Sequence, residues 1–520
     1  MNANSALAQT LLLHLARLGV REVCLAAGAR NTPLITALLA STGVKLWNFF
    51  EERSAGFFAL GRMMADRAPV AVVTTSGTAA AELLPAVIEA HYQALPLIVI
   101  TADRPSRFRG SGAPQAIEQV GLFGVYAQRT LDLEGAAHDV VWPTSAGTRP
   151  LHFNVCFDEP LVGESTGIDF SAWGDAFASK PAPTDQQLDT LQRFLRQRDG
   201  LAVLVSGLHP DEAKRLSPVL HRLGAPVIAE ATSNLEPSDL IVRGGEKALA
   251  TLNPRRVLRI GGVPSWRWWR NLEDASDSIH VLHVSNAPFA GLSRYQGLSV
   301  LPLAALEQAT FPAPTTDGLI NASRSDQASR LDTVLDQHSL SEPAWMRHLA
   351  RVIPGGSHVF LGNSLPIREW NLAGHGSPGT SFFANRGANG IDGLVSTFYG
   401  IGSGVAESWM IVGDLSALYD LSAPWLTSQL LPANRRIVVI NNGGGKIFSR
   451  VDSLRALNAD ARGVIENRHE ISFEPWARLW NLFYRRAQTP SDLYDLPEGD
   501  CIIEVLPDEQ ETEAFWAAWR

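Results

Sequence analysis

The sequence predicts an α/β protein of three domains with parallel sheets, and three observations carry that expectation. The chain has 520 residues, several times what one hydrophobic core serves, so about three domains are expected. Short apolar runs alternate with stretches of helical spacing, which is the order of βαβ units. Glycine-rich turns close many of those runs, where an α/β sheet carries its binding loops.

In the first third, ALAQTLLLHLARLG has helical spacing, and REVCLAAG, KLWNFF, VAVVTTSG and PLIVITADRP read as strands. GTAAAELLPAVIEAHYQA reads as a helix between the last two, although its opening also resembles a phosphate loop. Residues 172 to 188, ending in SKPAPTDQQL, read as a linker. A second βα series follows with LAVLVSG, APVIAEA, RVLRIGG and HVLHVS, and residues 312 to 342 turn polar again. HVFLGNS, TSFFANRG, SWMIVGD, RRIVVINN and CIIEVLP then repeat the outline of the first third. The domain expectation is 1–175, 185–312 and 340–520.

Composition narrows the function classes. Hydrophobic residues make up 45% and charged residues 19%, with no apolar run long enough to span a bilayer and no leader pattern at MNANSALAQT. A cytoplasmic protein without a membrane span is expected. Cys24, Cys156 and Cys501 are far apart and sit in or beside apolar runs, which fits buried thiols. A net charge of −9 without a basic block argues against nucleic acid. Only five of the 44 basic residues are lysines. Base composition accounts for that bias in general, yet arginine is also the better bidentate clamp for carboxylates. GxSxG, HExxH, CxxC and Walker A patterns are absent, and IGSGVA lacks the full dinucleotide fingerprint.

The chemistry concentrates at strand ends. IVGDLSALYDL runs into Asp414, and IVVINNGGGKIF runs into Asn442. An Asp carboxylate, an Asn amide oxygen and a carbonyl from the turn at Gly444 are hard ligands for Mg²⁺, whose remaining positions suit phosphate oxygens and water. The helix beginning near Leu415 adds its N-terminal dipole toward a diphosphate. The same residues also suit ordinary turns, and Lys446 reads equally as a phosphate neighbour or a solvated lysine.

A Gly-Asp followed one helix and one strand later by Asn-Asn resembles the thiamine diphosphate (ThDP) signature. That cofactor needs a desolvated carboxylate to share a proton with its aminopyrimidine ring. LWNFFEERSAGFFALG offers Glu52 among Phe49, Phe50, Phe57 and Phe58, although glutamates in a first helical turn are ordinarily solvated dipole partners. Further glycine-flanked loops carry Arg30, Arg104, Gln115, Arg267, Ser364 with Arg368, and Arg386. Together they suit a substrate with several carboxylates; singly, each also suits a helix cap or surface ion pair.

GARNTPL, FFEER, TSGTAAAELLPAVIEA, TADRP, GAPQAI, GNSLPIR, NRGANGIDGLVST, VGDLSALYDL and NNGGGKIFS together resemble the ThDP-dependent synthases of menaquinone biosynthesis, almost end to end. The resemblance implies a ThDP-binding fold with pyrimidine, central and diphosphate domains. It implies Glu52 as the cofactor-activating glutamate and Asp414, Asn442 and the Gly444 carbonyl as ligands of Mg²⁺ or Mn²⁺. Leu415 and Ser416 fall at the diphosphate, and Ile391 resembles the apolar residue that props the cofactor in its bent shape. Arg30, Arg104, Gln115, Ser364, Arg368 and Arg386 fall where the family performs catalysis and binds its acidic substrates, with Arg267, Ile447 and Phe448 alongside.

The implied substrates are 2-oxoglutarate and isochorismate, in a homodimer or homotetramer with active sites between subunits. Ala29 stands where the pattern has serine, Pro114 where it has asparagine, Arg267 where it has lysine, and Gly443 and Lys446 replace asparagine and glutamine in the metal loop. These departures bear on substrate contacts and leave the metal ligands intact. Two alternatives stay open: another ThDP 2-oxo acid decarboxylase or synthase, and a non-catalytic metabolite-binding paralogue.

Overall fold

The computed structural model describes residues 2–135, 140–173, 182–238, 240–242, 245–273, 279–293, 300–310, 319–454 and 456–519, with the backbone alone at 319–326 and 452. Sixteen strands form three sheets among these residues, and every paired strand is parallel. The first sheet comprises β1 (Glu22–Ala26), β2 (Lys45–Phe49), β3 (Val70–Thr74), β4 (Leu97–Asp103), β5 (Arg129–Leu133) and β6 (Leu151–Cys156), in the order β2-β1-β3-β4-β6-β5. The second holds β7 (Leu201–Ser206), β8 (Val227–Ala229), β9 (Arg256–Gly261) and β10 (His280–Val284), in the order β10-β9-β7-β8.

The third sheet is built from β11 (His358–Leu361), β12 (Ser381–Phe383), β13 (Glu407–Gly413), β14 (Asn434–Ile440), β15 (Phe483–Ala487) and β16 (Cys501–Val505). Its order, β12-β11-β13-β14-β16-β15, repeats the first sheet strand for strand. The likeness of the two outer thirds is therefore a likeness of topology. In both sheets the strand order switches sides between the first and third strands of the series, which makes the loops after β1 and β3, and after β11 and β13, the ones that border a crevice.

The chain divides into two compact units. One takes in Met1–Ser179, Gly387–Gly404 and Tyr419–Leu431; the other takes in Lys180–Arg386, Val405–Leu418 and Pro432–Arg520. The first unit carries β1–β6 and the helix Leu394–Ile401, and the second carries β7–β16. Strands β3, β4 and β6 are buried along their whole length, as a sheet covered on both faces requires. Leu11, Leu15, Val23, Ile98 and Phe153 belong to the core of the first sheet, and Trp345, Leu361, Trp370, Ile411 and Ile503 to that of the third.

The helix Glu52–Asp66 is buried from Ser54 through Met64, on every side rather than on one stripe. It crosses the helix Leu394–Ile401 at two glycines: a Cβ on Gly61 would stand 2.1 Å from the Thr397 carbonyl oxygen, and one on Gly400 2.3 Å from that of Phe58. Only hydrogen side chains permit that approach.

Several elements differ from the sequence expectation. The helix expected over GTAAAELLPAVIEAHYQA is two, Thr78–Ala81 and Leu84–Gln93, because Pro85 fits only a first turn and restarts the helix. The polar stretch of 312–342 contains a long helix, Leu319–Gln337, while 311–318 and the boundary at 312 lie outside the described residues. Within 172–188 the helix Asp185–Arg196 starts at a Thr184 capping box, and the boundary at 175 also falls outside the described residues. The three cysteines are free and buried. Among the described residues no helix is long and apolar enough to cross a membrane.

Candidate active site

Strand β2 hands over to a helix through two adjacent glutamates that take different jobs. Glu51 is the N-cap: its carboxylate accepts from the backbone N–H of Arg53 at 3.1 Å and of Ser54 at 3.0 Å. Glu52, the first helical residue, is thereby released from capping. Burial raises its carboxyl above the ordinary range, and the charges of Glu51 and Glu82 push the same way against one backbone hydrogen bond. Of the four expected phenylalanines, Phe49, Phe57 and Phe58 are buried, whereas Phe50 is 56% exposed. Its ring meets Trp425 edge-on at 5.0 Å instead, because it points to the opposite side of β2 from Phe49. Phe50 is therefore no part of the expected dry wall, while Phe49 and Phe58 pack on one another at 5.5 Å.

The loop that carries Ile391 belongs to the same unit. Glu89, buried on the helix Leu84–Gln93, accepts from the backbone N–H groups of Gly387 at 2.6 Å and Ala388 at 2.7 Å. Gly393, at φ +64°, then turns the chain so closely over Phe57 that a Cβ would lie 2.0 Å from its ring. Ile391 and the helix that starts at Glu52 are thus fixed to one another through Phe57.

The strand-end pair lies in the second unit. Strands β13 and β14 are neighbours with Gly413 opposite Ile440, so Asp414 and Asn441–Asn442 leave the sheet side by side. Asp414 is buried, accepting from Leu415 N–H at 2.6 Å through Oδ1 and from Gly444 N–H at 2.8 Å through Oδ2. Burial raises its carboxyl, opposed by those N–H groups and by His469, whose Nε2 is 3.3 Å from Oδ2. Asn442 donates from Nδ2 to Glu342 Oε2 at 3.0 Å, which leaves its Oδ1 buried with no hydrogen-bond partner. A buried amide oxygen without a partner costs about 1–3 kcal/mol. A cation beside Asp414 would satisfy it.

Gly444 sits at φ +135°, and a Cβ there would come within 2.5 Å of the Glu466 carbonyl oxygen, so the turn demands glycine. Its own carbonyl accepts from Lys446 N–H at 2.8 Å and keeps a second lone pair. These donors fit a hard divalent cation. Leu415 and Ser416 open the short helix Asp414–Tyr419 directly after the aspartate. Lys446 pairs with Glu509 at 2.8 Å and stands 4.0 Å from buried Glu466, its own side chain only 19% exposed. Ile447 and the partly exposed Phe448 follow in a 3₁₀ turn.

The remaining candidates group within each unit. In the first, Arg104 Nε donates to the Pro114 carbonyl at 2.9 Å, drawing the TADRP loop onto the one that carries Gln115. Gln115, at φ +57°, is exposed and passes over the turn at Gly77. Arg30 is tied to the end of β6 through the Phe157 carbonyl at 3.0 Å and to Glu159 at 3.4 Å. In the second, Arg386 Nη1 donates to Asn363 Oδ1 at 3.0 Å, and Arg368 Nη1 to the Ser364 carbonyl at 2.5 Å. Ser364 holds φ +76°, a left-handed position that a serine adopts at a cost.

Glu230, at the end of β8, joins Arg368 and Arg386. Its burial raises its carboxyl while the charges of Arg386 and Arg368 pull it down. It also accepts from Ser265 N–H at 2.6 Å, anchoring the loop that leads to exposed Arg267. Sequence reading passed over Glu230, Glu89, Glu342 and His469. Only Glu230 carried a signal, as a lone acid closing an apolar strand.

Two parallel sheets of one topology, a half-buried glutamate at a helix start and an acid-amide pair beside a turn that demands glycine are what the resemblance to ThDP enzymes calls for. In agreement, residues 5–122 match the family model "Thiamine pyrophosphate enzyme, N-terminal TPP binding domain". Over nearly its whole length the chain is similar to proteins named 2-succinyl-5-enolpyruvyl-6-hydroxy-3-cyclohexene-1-carboxylate synthase. The one from Bdellovibrio bacteriovorus is 42% identical, covering 99% of this chain and 98% of the relative. That from Akkermansia muciniphila is 38% identical with the same coverage, and that from Chloroflexus aurantiacus 32% identical over 94% of this chain and 90% of the relative. The chain belongs to the 2-succinyl-5-enolpyruvyl-6-hydroxy-3-cyclohexene-1-carboxylate synthase family, and it is a ThDP-dependent enzyme of the group-transfer type.

Proposed function

We propose that the protein decarboxylates 2-oxoglutarate and adds the remaining succinyl-semialdehyde unit to isochorismate, giving 2-succinyl-5-enolpyruvyl-6-hydroxy-3-cyclohexene-1-carboxylate for menaquinone synthesis. Bound ThDP supplies the electron sink that lets CO₂ leave. Glu52 holds the proton shared with the aminopyrimidine nitrogen, and its raised pKa supports that role. Asp414, Asn442 and the Gly444 carbonyl hold Mg²⁺ or Mn²⁺, with Leu415 and Ser416 at the diphosphate. Ile391 props the cofactor.

Both substrates are dianions. Arg30, Arg104, Gln115, Arg267, Ser364, Arg368 and Arg386 neutralise and orient them, with Ile447 and Phe448 as apolar walls. The observation that carries the substrate reading is the pair Arg368, on the helix that follows β11, and Arg386, on the loop after β12, with Glu230 sharing their field. The domains are 1–175 for the pyrimidine, 185–312 in the centre and 340–520 for the diphosphate. The protein works in the cytoplasm as a homodimer or homotetramer with its sites between subunits.

Purified protein with ThDP and Mg²⁺ is expected to consume isochorismate only when 2-oxoglutarate is present, with release of CO₂. Glu52→Gln should lower that rate by about 10²-fold or more while the thermal midpoint stays unchanged. Equal efficiency with pyruvate in place of 2-oxoglutarate would overturn the dianion reading, and full activity in Glu52→Gln would overturn the role of the glutamate.

A further inference from the structure

Glu342 opens the helix Glu342–Val352, whose N-terminus is capped by Ser341. A carboxylate in that position ordinarily faces water and completes the helix dipole. Glu342 instead is buried, 2% exposed, and points inward to accept the Asn442 Nδ2–H at 3.0 Å. Buried Glu369, on the helix Leu365–Ala373, lies against it, and Arg450 contributes the facing positive charge. Thr512 Oγ1 accepts the Glu342 backbone N–H at 3.0 Å, so the residue is pinned at both ends.

The contact settles a choice that an asparagine leaves open. A side-chain amide has a donor end and an acceptor end of nearly equal size. With a carboxylate oxygen fixed on one side, the nitrogen satisfies it and the oxygen is turned away from Glu342, at a strand end that neighbours the one carrying Asp414. That oxygen is the one left buried without a partner.

We propose that Glu342 is a positioning residue for the divalent cation: by accepting from Nδ2 it fixes the Asn442 amide with Oδ1 presented as a metal ligand. The inference rests on the reading of Asp414, Asn442 and Gly444 as the ligand set. It assigns to the start of a helix 100 residues upstream in sequence a part in metal affinity that the strand-end motif does not contain. Outer partners of this kind are worth about 10- to 100-fold in metal affinity.

The test measures ThDP retained by the full-length protein after gel filtration as a function of Mg²⁺, a readout independent of turnover, alongside the thermal midpoint of each apoprotein. Glu342→Ala should need about 10- to 100-fold more Mg²⁺ for half retention. Glu342→Gln keeps an acceptor oxygen beside a new donor and should need clearly less Mg²⁺ than Glu342→Ala. Unchanged Mg²⁺ dependence in Glu342→Ala overturns the proposal. So does a Glu342→Gln protein that folds yet binds as weakly as Glu342→Ala.

Should Glu342→Ala not fold, Asn442→Asp carries the test, because it sets two acceptors face to face. Adding Glu342→Gln to it restores a donor and should tighten Mg²⁺-dependent retention about tenfold, whereas no gain overturns the proposal. Wild-type protein that retains ThDP independently of Mg²⁺ would instead overturn the ligand assignment itself, a different outcome from any of these.

Discussion

Asp420 isolates what burial does to a single carboxylate. It is fully buried and accepts the Ser396 N–H at 2.7 Å and its hydroxyl at 3.1 Å. It thereby caps the helix Leu394–Ile401, whose own N-cap, Gly393, has no side chain to offer. Arg53 stands 3.6 Å away, yet burial prevails and the carboxyl is pushed up to about 6. Because the folded pKa lies above the unfolded one, the stability this group contributes is present below the unfolded value of 3.8 and is lost as pH rises through about 6. Asp420→Asn keeps an acceptor oxygen for Ser396 without the charge. It should match or exceed wild type in denaturant midpoint at pH 7.5, by up to about 3 kcal/mol, with the advantage shrinking toward pH 4.5. A variant clearly less stable at pH 7.5 would mean that the Arg53 pair outweighs burial.

At the scale of elements, the crossing of Glu52–Asp66 with Leu394–Ile401 is the contact that joins the segments carrying Glu52 and Ile391. Gly400→Ala places a methyl against the Phe58 carbonyl and Gly61. The helices must separate, at a cost of about 1–3 kcal/mol. Gly61→Ala should cost a similar amount, and the double variant less than the sum, since the first methyl already opens the gap the second needs. Denaturant midpoints of the three proteins check this; additive or absent effects would show that the crossing is not close-packed. Nothing in SAGFFALGRMMAD announces the partner of Gly61, because glycine's purpose there lies in a segment more than 300 residues away.

The same distance separates what sequence reading finds from what it misses. Strands β1 to β4 and β11 to β14 are apolar runs closed by turns, and their local text suffices. Strands β5 and β15 are sheet edges that carry charge, as RTLDL and FYRRA, and β6 buries His152 and Asn154 inside LHFNVC. Their hydrophobic signal is diluted for physical reasons, edge protection and a buried polar network. Among the candidates, Glu52, Asp414 and Asn442 stand at strand ends and are legible. Glu89 at the Gly387 loop, Glu230 beside Arg368 and Arg386, and Glu342 and His469 at Asn442 and Asp414 come from other segments of the same unit, and only folding brings them there.

The whole molecule raises the question of which chains furnish one active site. Glu52 lies in the first compact unit and Asp414 in the second, and the proposed arrangement joins the glutamate of one subunit to the metal loop of another. The first unit leaves Phe50 with Trp425, and Tyr419, Leu421 and Leu431, exposed in the single chain. Complementation between two inactive variants decides the matter. In a dimer of one Glu52→Gln chain and one Asp414→Ala chain, shared sites would leave one site with both lesions and the other with none. Each variant alone would be inactive. Unfolded together and refolded as an equal mixture, they should recover roughly a quarter of wild-type activity, since about half of the dimers are mixed and each has one intact site of two. Sites built within single chains would recover nothing, because every site would keep a lesion, and a different affinity tag on each variant would show by co-purification in either case whether mixed dimers had formed.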